Sequence, residues 1–310
     1  MDASNALDPQ SPQARAIYDL GIVSTIVFVL IFVVVAGAIA YAIFRFRGDE
    51  GEPDPRQFAG SEKVEIIWTV IPFLIVVFLF VLTLRGMNQA DPPPAPSPDL
   101  VVIGHQFWWE AQYPATGAVT ANEIHIPVGK ALSVRLDSKD VLHEFWVPQL
   151  TRKMSTVPGQ PNNIWLQADK PGTYIGQCSE FCGTQHAWMR ILVVADEPSK
   201  FEEWQQAQLQ PAAAPTIDIA AKGLTVFQTS TCINCHAIRG VTGAHTDAAP
   251  DLTHVASRRQ LGSGILENTP ANLRLWLKNP QHIKPGVFMP DFNFAEQELD
   301  ALTGYLGTLQ

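Results

Sequence analysis

The sequence predicts a two-helix membrane hairpin, then an antiparallel β-sandwich, then a small all-α domain. Three observations carry that reading. Two nearly uninterrupted apolar runs lie close to the N-terminus, short β-rich runs broken by Gly and Pro fill the middle, and helical patterning takes over near residue 217. At 310 residues the chain is too long for one small domain and suggests two or three units. Charged residues make up only 16% of it, as expected when part of a chain sits in lipid.

The first apolar run, residues 22–44, is interrupted only by Ser24, Thr25 and Tyr41. The second covers residues 66–84. Each reaches the roughly 20 residues a helix needs to cross about 30 Å of hydrocarbon. The first run is too long for a signal-peptide core and lacks a basic lead, since Asp2 and Asp8 precede Arg15, so it reads as a retained anchor. The connecting loop carries Arg45, Arg47, Arg56 and Lys63, which places that loop in the cytoplasm and both the N-terminal tail and everything after Arg85 on the outer side. Glu65 sits where the second helix enters the bilayer. It is either a wet interfacial acid or the mouth of a proton path.

Residues 1–21 form the outer tail and residues 22–85 the hairpin. Residues 86–99, with Pro92, Pro93, Pro94, Pro96 and Pro98, read as an extended spacer. Residues 100–209 hold runs such as LVVIGHQFWW, VLHEFWVP and MRILVVA, the pattern of short strands in a sandwich or barrel. Residues 199–209 suit a short helix, residues 210–216 a second linker, and residues 217–310 a helical domain marginal without a staple.

Four cysteines in an exported chain would ordinarily suggest disulfides. Here they form two tight pairs, each among His and Met, which points to metal or cofactor attachment. The run CSEFCGTQHAWM brings Cys178, Cys182, His186 and Met189 within twelve residues, and His143 lies upstream in DVLH. Thiolate and thioether are soft ligands that favour copper, while zinc has no use for Met. A Cys178–Cys182 disulfide is the competing account. In CINCH, Cys232 and Cys235 can add to the two vinyl groups of haem and His236 can reach the iron. Met289 is the only methionine after that motif, so it is the candidate second axial ligand. A redox dithiol would need a βαβ setting, which is absent, and a zinc half-site would need a second Cys pair. His245, His254 and His282 read as surface or structural histidines.

The run C-x-E-x-C-x-x-x-H-x-x-M, with DVLH, GHQFWWE and EIIWTVIP before it, resembles subunit II of cytochrome c oxidases over roughly residues 17–205. The resemblance implies a cupredoxin-type sandwich and a dinuclear copper (CuA) centre. His143, Cys178, Cys182, His186 and Met189 would bind by side chain and Glu180 by its carbonyl. It further implies a magnesium ion shared with subunit I through the Glu180 carboxylate, and a proton-channel role for Glu65. In the family a Trp immediately after GHQ receives electrons. Here Phe107 stands there, followed by Trp108 and Trp109, so Phe107 and Trp108 are the candidate receiving positions. Residues 217–310 resemble class I cytochromes c. That likeness implies covalent haem c, the Pro250 carbonyl against the His236 ring, and a terminal helix over residues 296–309 packed on the motif-bearing helix.

Together the resemblances imply an electron-input subunit of a haem–copper terminal oxidase. It would take electrons from cytochrome c or another respiratory donor and pass them to subunit I, where oxygen is reduced with proton pumping. Subunit I and other oxidase subunits are the expected partners. The expected location is a bacterial inner (plasma) membrane, crossed more than once, with the tail and C-terminal domains on the outer, periplasmic side. A net charge of −9 argues against nucleic acid and suits a cationic protein donor. The alternatives are the input subunit of a copper-containing nitric oxide reductase and a membrane-tethered copper chaperone or redox sensor. A nitrous oxide reductase domain ranks below them because that family carries Trp where Glu180 stands. A quinol oxidase subunit would have no need of the copper cysteines.

Overall fold

A computed structural model of the chain describes residues 5–48, 51, 57, 59–90, 96–241 and 248–310. Asp2, Arg56, Pro92, Pro93, Pro94 and His245 lie outside the described residues. The chain forms two compact units, Arg15–Asp91 and a second made of Met1–Ala14 with Pro92–Gln310.

Helices α1 (Pro12–Arg45) and α2 (Glu62–Ala90) have mean hydropathies of 3.0 and 2.8 over their most apolar windows, none of it buried. Large side chains such as Phe32 and Val34 face outward along α1, 71% and 70% exposed. Length and apolarity suit both helices to crossing a membrane. Ser11 opens α1, its hydroxyl accepting from the Ala14 N–H at 2.9 Å, with Pro12 in the first turn where its missing N–H is harmless. Residues 86–90, expected to begin the spacer, are instead the last turn of α2. Nothing before Pro92 stops a helix, so it runs on past its apolar stretch.

In the second unit ten strands build two sheets: β1 (Leu100–His105), β2 (Trp108–Tyr113), β3 (Ala118–Ala121), β4 (Glu123–Pro127), β5 (Leu132–Ser138), β6 (His143–Trp146), β7 (Met154–Thr156), β8 (Asn162–Leu166), β9 (Gly172–Cys178) and β10 (Arg190–Asp196). One sheet runs β3-β2-β1-β5-β8 and the other β4-β10-β9-β6-β7. The sandwich is cupredoxin-like, but not antiparallel throughout. β1 pairs parallel with β5, and β10 parallel with β4. Alternation in sequence tells which face a residue occupies, not the direction of its neighbour, so the mixed pairing was not visible in it. Trp109, Phe145, Ile126, Leu136, Ile164 and Leu166 fill the space between the sheets. β4 is buried along its whole length because α3 (Pro198–Gln208) lies against it, Trp204 stacking on His125 at 4.2 Å. The Tyr113 hydroxyl closes this corner, donating to the His125 carbonyl at 2.8 Å and accepting from its N–H at 2.9 Å.

The C-terminal region holds α4 (Asp218–Thr229), α5 (Pro270–Lys278), α6 (Pro280–Ile283) and α7 (Glu296–Leu306). A two-residue ribbon, β11 (Gln260–Leu261) with β12 (Leu266–Glu267), is added to the expected all-α domain. α7 packs on α4, the helix directly preceding CINCH, over Phe227, Leu299, Leu302 and Tyr305. The motif itself begins in a 3-10 turn, Thr231–Asn234, and not in a helix. Gly223 lets the two helices cross closely, since a Cβ there would fall on the Ala301 carbonyl. The segment 210–216 is held by its neighbours. The Arg239 guanidinium donates to the Leu209 carbonyl at 2.8 Å, and the Ala212 N–H donates to the Arg239 carbonyl at 2.9 Å.

Candidate copper centre and haem cavity

The copper loop hangs between two strand ends. β6 and β9 pair so that Phe145 faces Cys178, while the Cys178 N–H donates to the Met189 carbonyl at 2.9 Å and the Ser179 N–H to the Glu144 carbonyl at 3.0 Å. That pinning turns His143, the first residue of β6 and fully buried, toward the loop. The two sulfurs of Cys178 and Cys182 lie 3.8 Å apart, unbonded. His143 Nδ1 is 4.0 Å from the Cys178 sulfur, and the Glu180 carbonyl oxygen is 3.2 Å from it. His186 Nδ1 and the Met189 sulfur are each 3.8 Å from the Cys182 sulfur. All the donors named from the sequence therefore gather round one pair of sulfurs. Soft sulfur with imidazole fits copper, and His143, Cys178 and Cys182 bring their ligand atoms close enough together to hold an ion.

The cysteines behave as a pair sharing one proton. A hydrogen bond from Cys182 holds the Cys178 thiol well below its ordinary range, against burial, while that same bond and burial push Cys182 well up. Asp140 is a residue the sequence reading passed over although DVLH contains it. Its carboxylate binds His143 Nε2 at 2.8 Å, which leaves Nδ1 free to face the sulfurs. Burial alone would raise the Asp140 carboxyl, but bonds from His143 and from the Gln106 and Val141 N–H groups hold it below the usual carboxylate range.

The second site is a cavity of about 330 Å³ lined by Cys232, Cys235, His236 and Met289. The Pro250 carbonyl oxygen lies 2.7 Å from His236 Nδ1, leaving Nε2 to face the cavity. Burial pulls the His236 imidazole below its ordinary pKa, which keeps the ring neutral and able to ligate a metal. Arg258 also lines the cavity, and its buried Nε has no partner. A haem brings two carboxylates, and this unmatched guanidinium donor is where one would be received, so the residues fit the group. Only the tertiary fold singles out Arg258, since ASRR reads as a surface turn in sequence.

Phe107 and Trp108, though they belong to the copper domain, line the same cavity. Trp108 stacks on His105 at 4.1 Å, and Trp109 turns the other way, onto Phe145 and His143. The Phe107 ring touches Phe288 at 5.7 Å between centroids, and its carbonyl accepts from Ser263 Oγ at 2.8 Å and from Lys284 Nζ at 3.1 Å. Lys284 is 1% exposed, and burial pulls its ammonium down to about 7. Glu65 lies in the first turn of α2, close over Gly60. His254 is not a surface residue: its ring nitrogens face the Gln310 and Gln210 carbonyl oxygens at 2.7 and 3.1 Å.

Sulfur and imidazole ligands in one site, and a thiol–imidazole cavity in the other, both suit centres that gain and lose single electrons. Fold and sites together define a membrane-anchored electron carrier. Residues 4–85 match the family model of the transmembrane domain of cytochrome c oxidase subunit II, residues 118–196 that of its periplasmic domain, and residues 220–310 that of cytochrome c. The chain is 39% identical to cytochrome c oxidase subunit 2 of Alkalihalophilus pseudofirmus, covering 98% of this chain and 90% of that one. It is 30% identical to cytochrome c oxidase subunit 2 of Bacillus subtilis, covering 99% and 92%. The periplasmic domain of cytochrome oxidase subunit II of Bradyrhizobium japonicum is similar at 31% identity over 36% of this chain and 95% of that structure, with a TM-score of 0.35. The chain belongs to the cytochrome c oxidase subunit 2 family, with a cytochrome c domain at its C-terminal end.

Proposed function

We propose that this chain is the electron-input subunit of a haem–copper terminal oxidase. In this reading it carries electrons from an outer-side donor, by way of covalent haem c and a dinuclear copper centre, to subunit I, where oxygen is reduced to water with proton pumping. The observation that carries the reading is the ring of His143, Glu180, His186 and Met189 donors around the Cys178–Cys182 sulfur pair, in the same compact unit as the CINCH cavity.

The copper loop would hold copper and the CINCH cavity a haem, each of which would supply one-electron chemistry. The protein's part is to hold and orient. Asp140 fixes the His143 ring by its far nitrogen, and the Pro250 carbonyl does the same for His236. The Cys178 and Cys182 side chains lie 4% and 5% exposed, which keeps bulk water from the sulfurs. Cys232 and Cys235 would tether the haem, Met289 would complete its iron, and Arg258 would meet a carboxylate. Phe107 and Trp108, which line the cavity, would be the receiving side chains. Glu180, half-buried on the loop, would offer its carboxylate to a magnesium ion whose remaining ligands come from subunit I. Glu65 would open a proton path at its end of α2. The membrane is the bacterial inner membrane, with the tail and C-terminal domains outside, and the net charge of −9 favours a cationic donor such as a basic cytochrome c.

The test is metal and haem analysis of the full chain, purified after haem maturation and copper loading, with its electron paramagnetic resonance spectrum when oxidised. Two coppers per haem, with hyperfine structure from one electron shared equally, is the expected result. A single isolated copper, or zinc beside a Cys178–Cys182 disulfide, would instead mark a copper chaperone or redox sensor.

A further inference from the structure

Lys284 is a costly residue where it stands. Burying an ammonium without a full counter-charge is unfavourable, and among the described residues only the Cys182 thiol, and no carboxylate, acts on it electrostatically. An unbranched apolar side chain such as Met would fill the same space without that penalty. The ammonium instead reaches two carbonyl oxygens in different domains, Phe107 of the copper domain and Gly262 of the cytochrome domain, each at 3.1 Å. Ser263 donates to the same Phe107 carbonyl, and the Arg190 N–H of the copper domain donates to the Ser263 carbonyl at 3.2 Å. The Phe107 backbone is thus the point at which the cytochrome domain grips the copper domain.

That grip sets an aromatic contact. Phe288, the neighbour of Met289, is 70% exposed yet lays its ring against Phe107. On its other side Phe107 rests on Gly183, next to Cys182, where a Cβ would come within 3.0 Å of the ring. Gln106 donates to the Cys182 carbonyl at 2.6 Å and ties the same stretch to the loop. A continuous packed line runs Met289, Phe288, Phe107, Gly183, Cys182.

Resting on the electron-input reading, we infer that Lys284 is a positioning residue which, with Ser263, locks the cytochrome domain onto Phe107 so that Phe288 and Phe107 bridge the haem cavity and the copper loop. The domain is therefore a fixed relay and not a shuttle swinging on residues 210–216. In the transfer itself one electron leaves the reduced haem and reduces the copper pair, and no bond is made or broken.

The experiment uses the purified oxidase complex containing the full chain, with two readouts. Amide hydrogen exchange over residues 104–109 and 260–264 reports docking. Decay of the reduced haem after a flash from a ruthenium photoreductant reports transfer, at several glycerol concentrations. In the wild type, transfer is independent of viscosity. Lys284→Met removes the bonds to the Phe107 and Gly262 carbonyls and raises exchange in both segments by about tenfold. Transfer in that variant slows and becomes viscosity-dependent, because each event waits for the domain to return. Ser263→Ala, which leaves the cytochrome core intact, moves both readouts the same way to a smaller extent. Phe288→Ala slows transfer without viscosity dependence, since the bridge is lost while the grip holds. Wild-type exchange and wild-type, viscosity-independent transfer in both Lys284→Met and Ser263→Ala, with haem and copper content retained, would overturn the inference. Failure of the electron-input reading looks different: both cofactors bound in the wild type and no haem-to-copper transfer at all.

Discussion

His143 turns one ring nitrogen to the copper loop because Asp140 holds the other. Outer hydrogen-bond partners of metal-binding histidines commonly carry 10- to 100-fold in affinity, so Asp140→Ala is expected to weaken copper binding by about that factor. A competitive titration against a copper chelator measures it, and an unchanged affinity would remove Asp140 from the site. The sulfur pair makes a second prediction. Because the coupled cysteines hold one proton between them, copper binding at pH 8 releases about one proton per chain from the pair, not two. Release rises as pH falls, since burial of His143 is outweighed by its bonds to Asp140 and Cys178, which raise its pKa. Calorimetry in buffers of different ionisation enthalpy gives the count. At this scale the sequence was most legible where ligands are near neighbours, as in CSEFCGTQHAWM and CINCH. Asp140, Arg258 and Lys284 were not, because each owes its role to a partner that only folding supplies.

Helix crossings and strand corners set the next scale. Gly223→Ala would push a methyl into the Ala301 carbonyl where α4 meets α7, and overpacking of this kind costs about 1–3 kcal/mol. Thermal unfolding followed at the haem absorbance should show the loss, while the copper spectrum stays put. Tyr113→Phe leaves both the N–H and carbonyl of His125 without their partner, at about 1–3 kcal/mol, and denaturant unfolding of the chain reads it. Apolar length found the hairpin, and periodicity found the strands and the helices of the last domain, because each of those buries one face at a fixed repeat. They misplaced the end of α2, where Arg85 and Gly86 ended the apolar run but not the helix. They also missed the parallel partners of β1 and β4, since pairing direction depends on segments far away in sequence.

Across the whole molecule, the two cofactor domains share a further contact away from Phe107. Glu123 of β4 accepts from the Arg259 N–H of the cytochrome domain at 2.8 Å, and its other oxygen lies 3.2 Å from His125, which also binds Asp196 at 2.6 Å. Burial alone would lower the His125 pKa, but its bonds to Asp196 and Glu123 raise it above the free value. A raised folded pKa means that the imidazolium's contribution is complete below about pH 6.5 and fades as pH climbs through the folded value. The stability difference between wild type and His125→Gln should therefore be widest below about pH 6.5 and narrow toward alkaline pH. A gap that widens with pH would show that the ring is held neutral instead.

Gln10 and Ser11, just ahead of α1, are stitched to the copper domain: the Gln10 N–H donates to the Gln149 carbonyl, the Asp169 N–H to the Gln10 carbonyl, and Ser11 Oγ to the Leu150 carbonyl at 2.6 Å. Residues that bond directly must share an aqueous compartment. Between Ser11 and Leu150 the chain can therefore cross a bilayer only an even number of times, so parity forbids either helix from spanning alone. A mutation that stopped one helix from inserting would have to strip the tail from the copper domain or strand that domain on the wrong side.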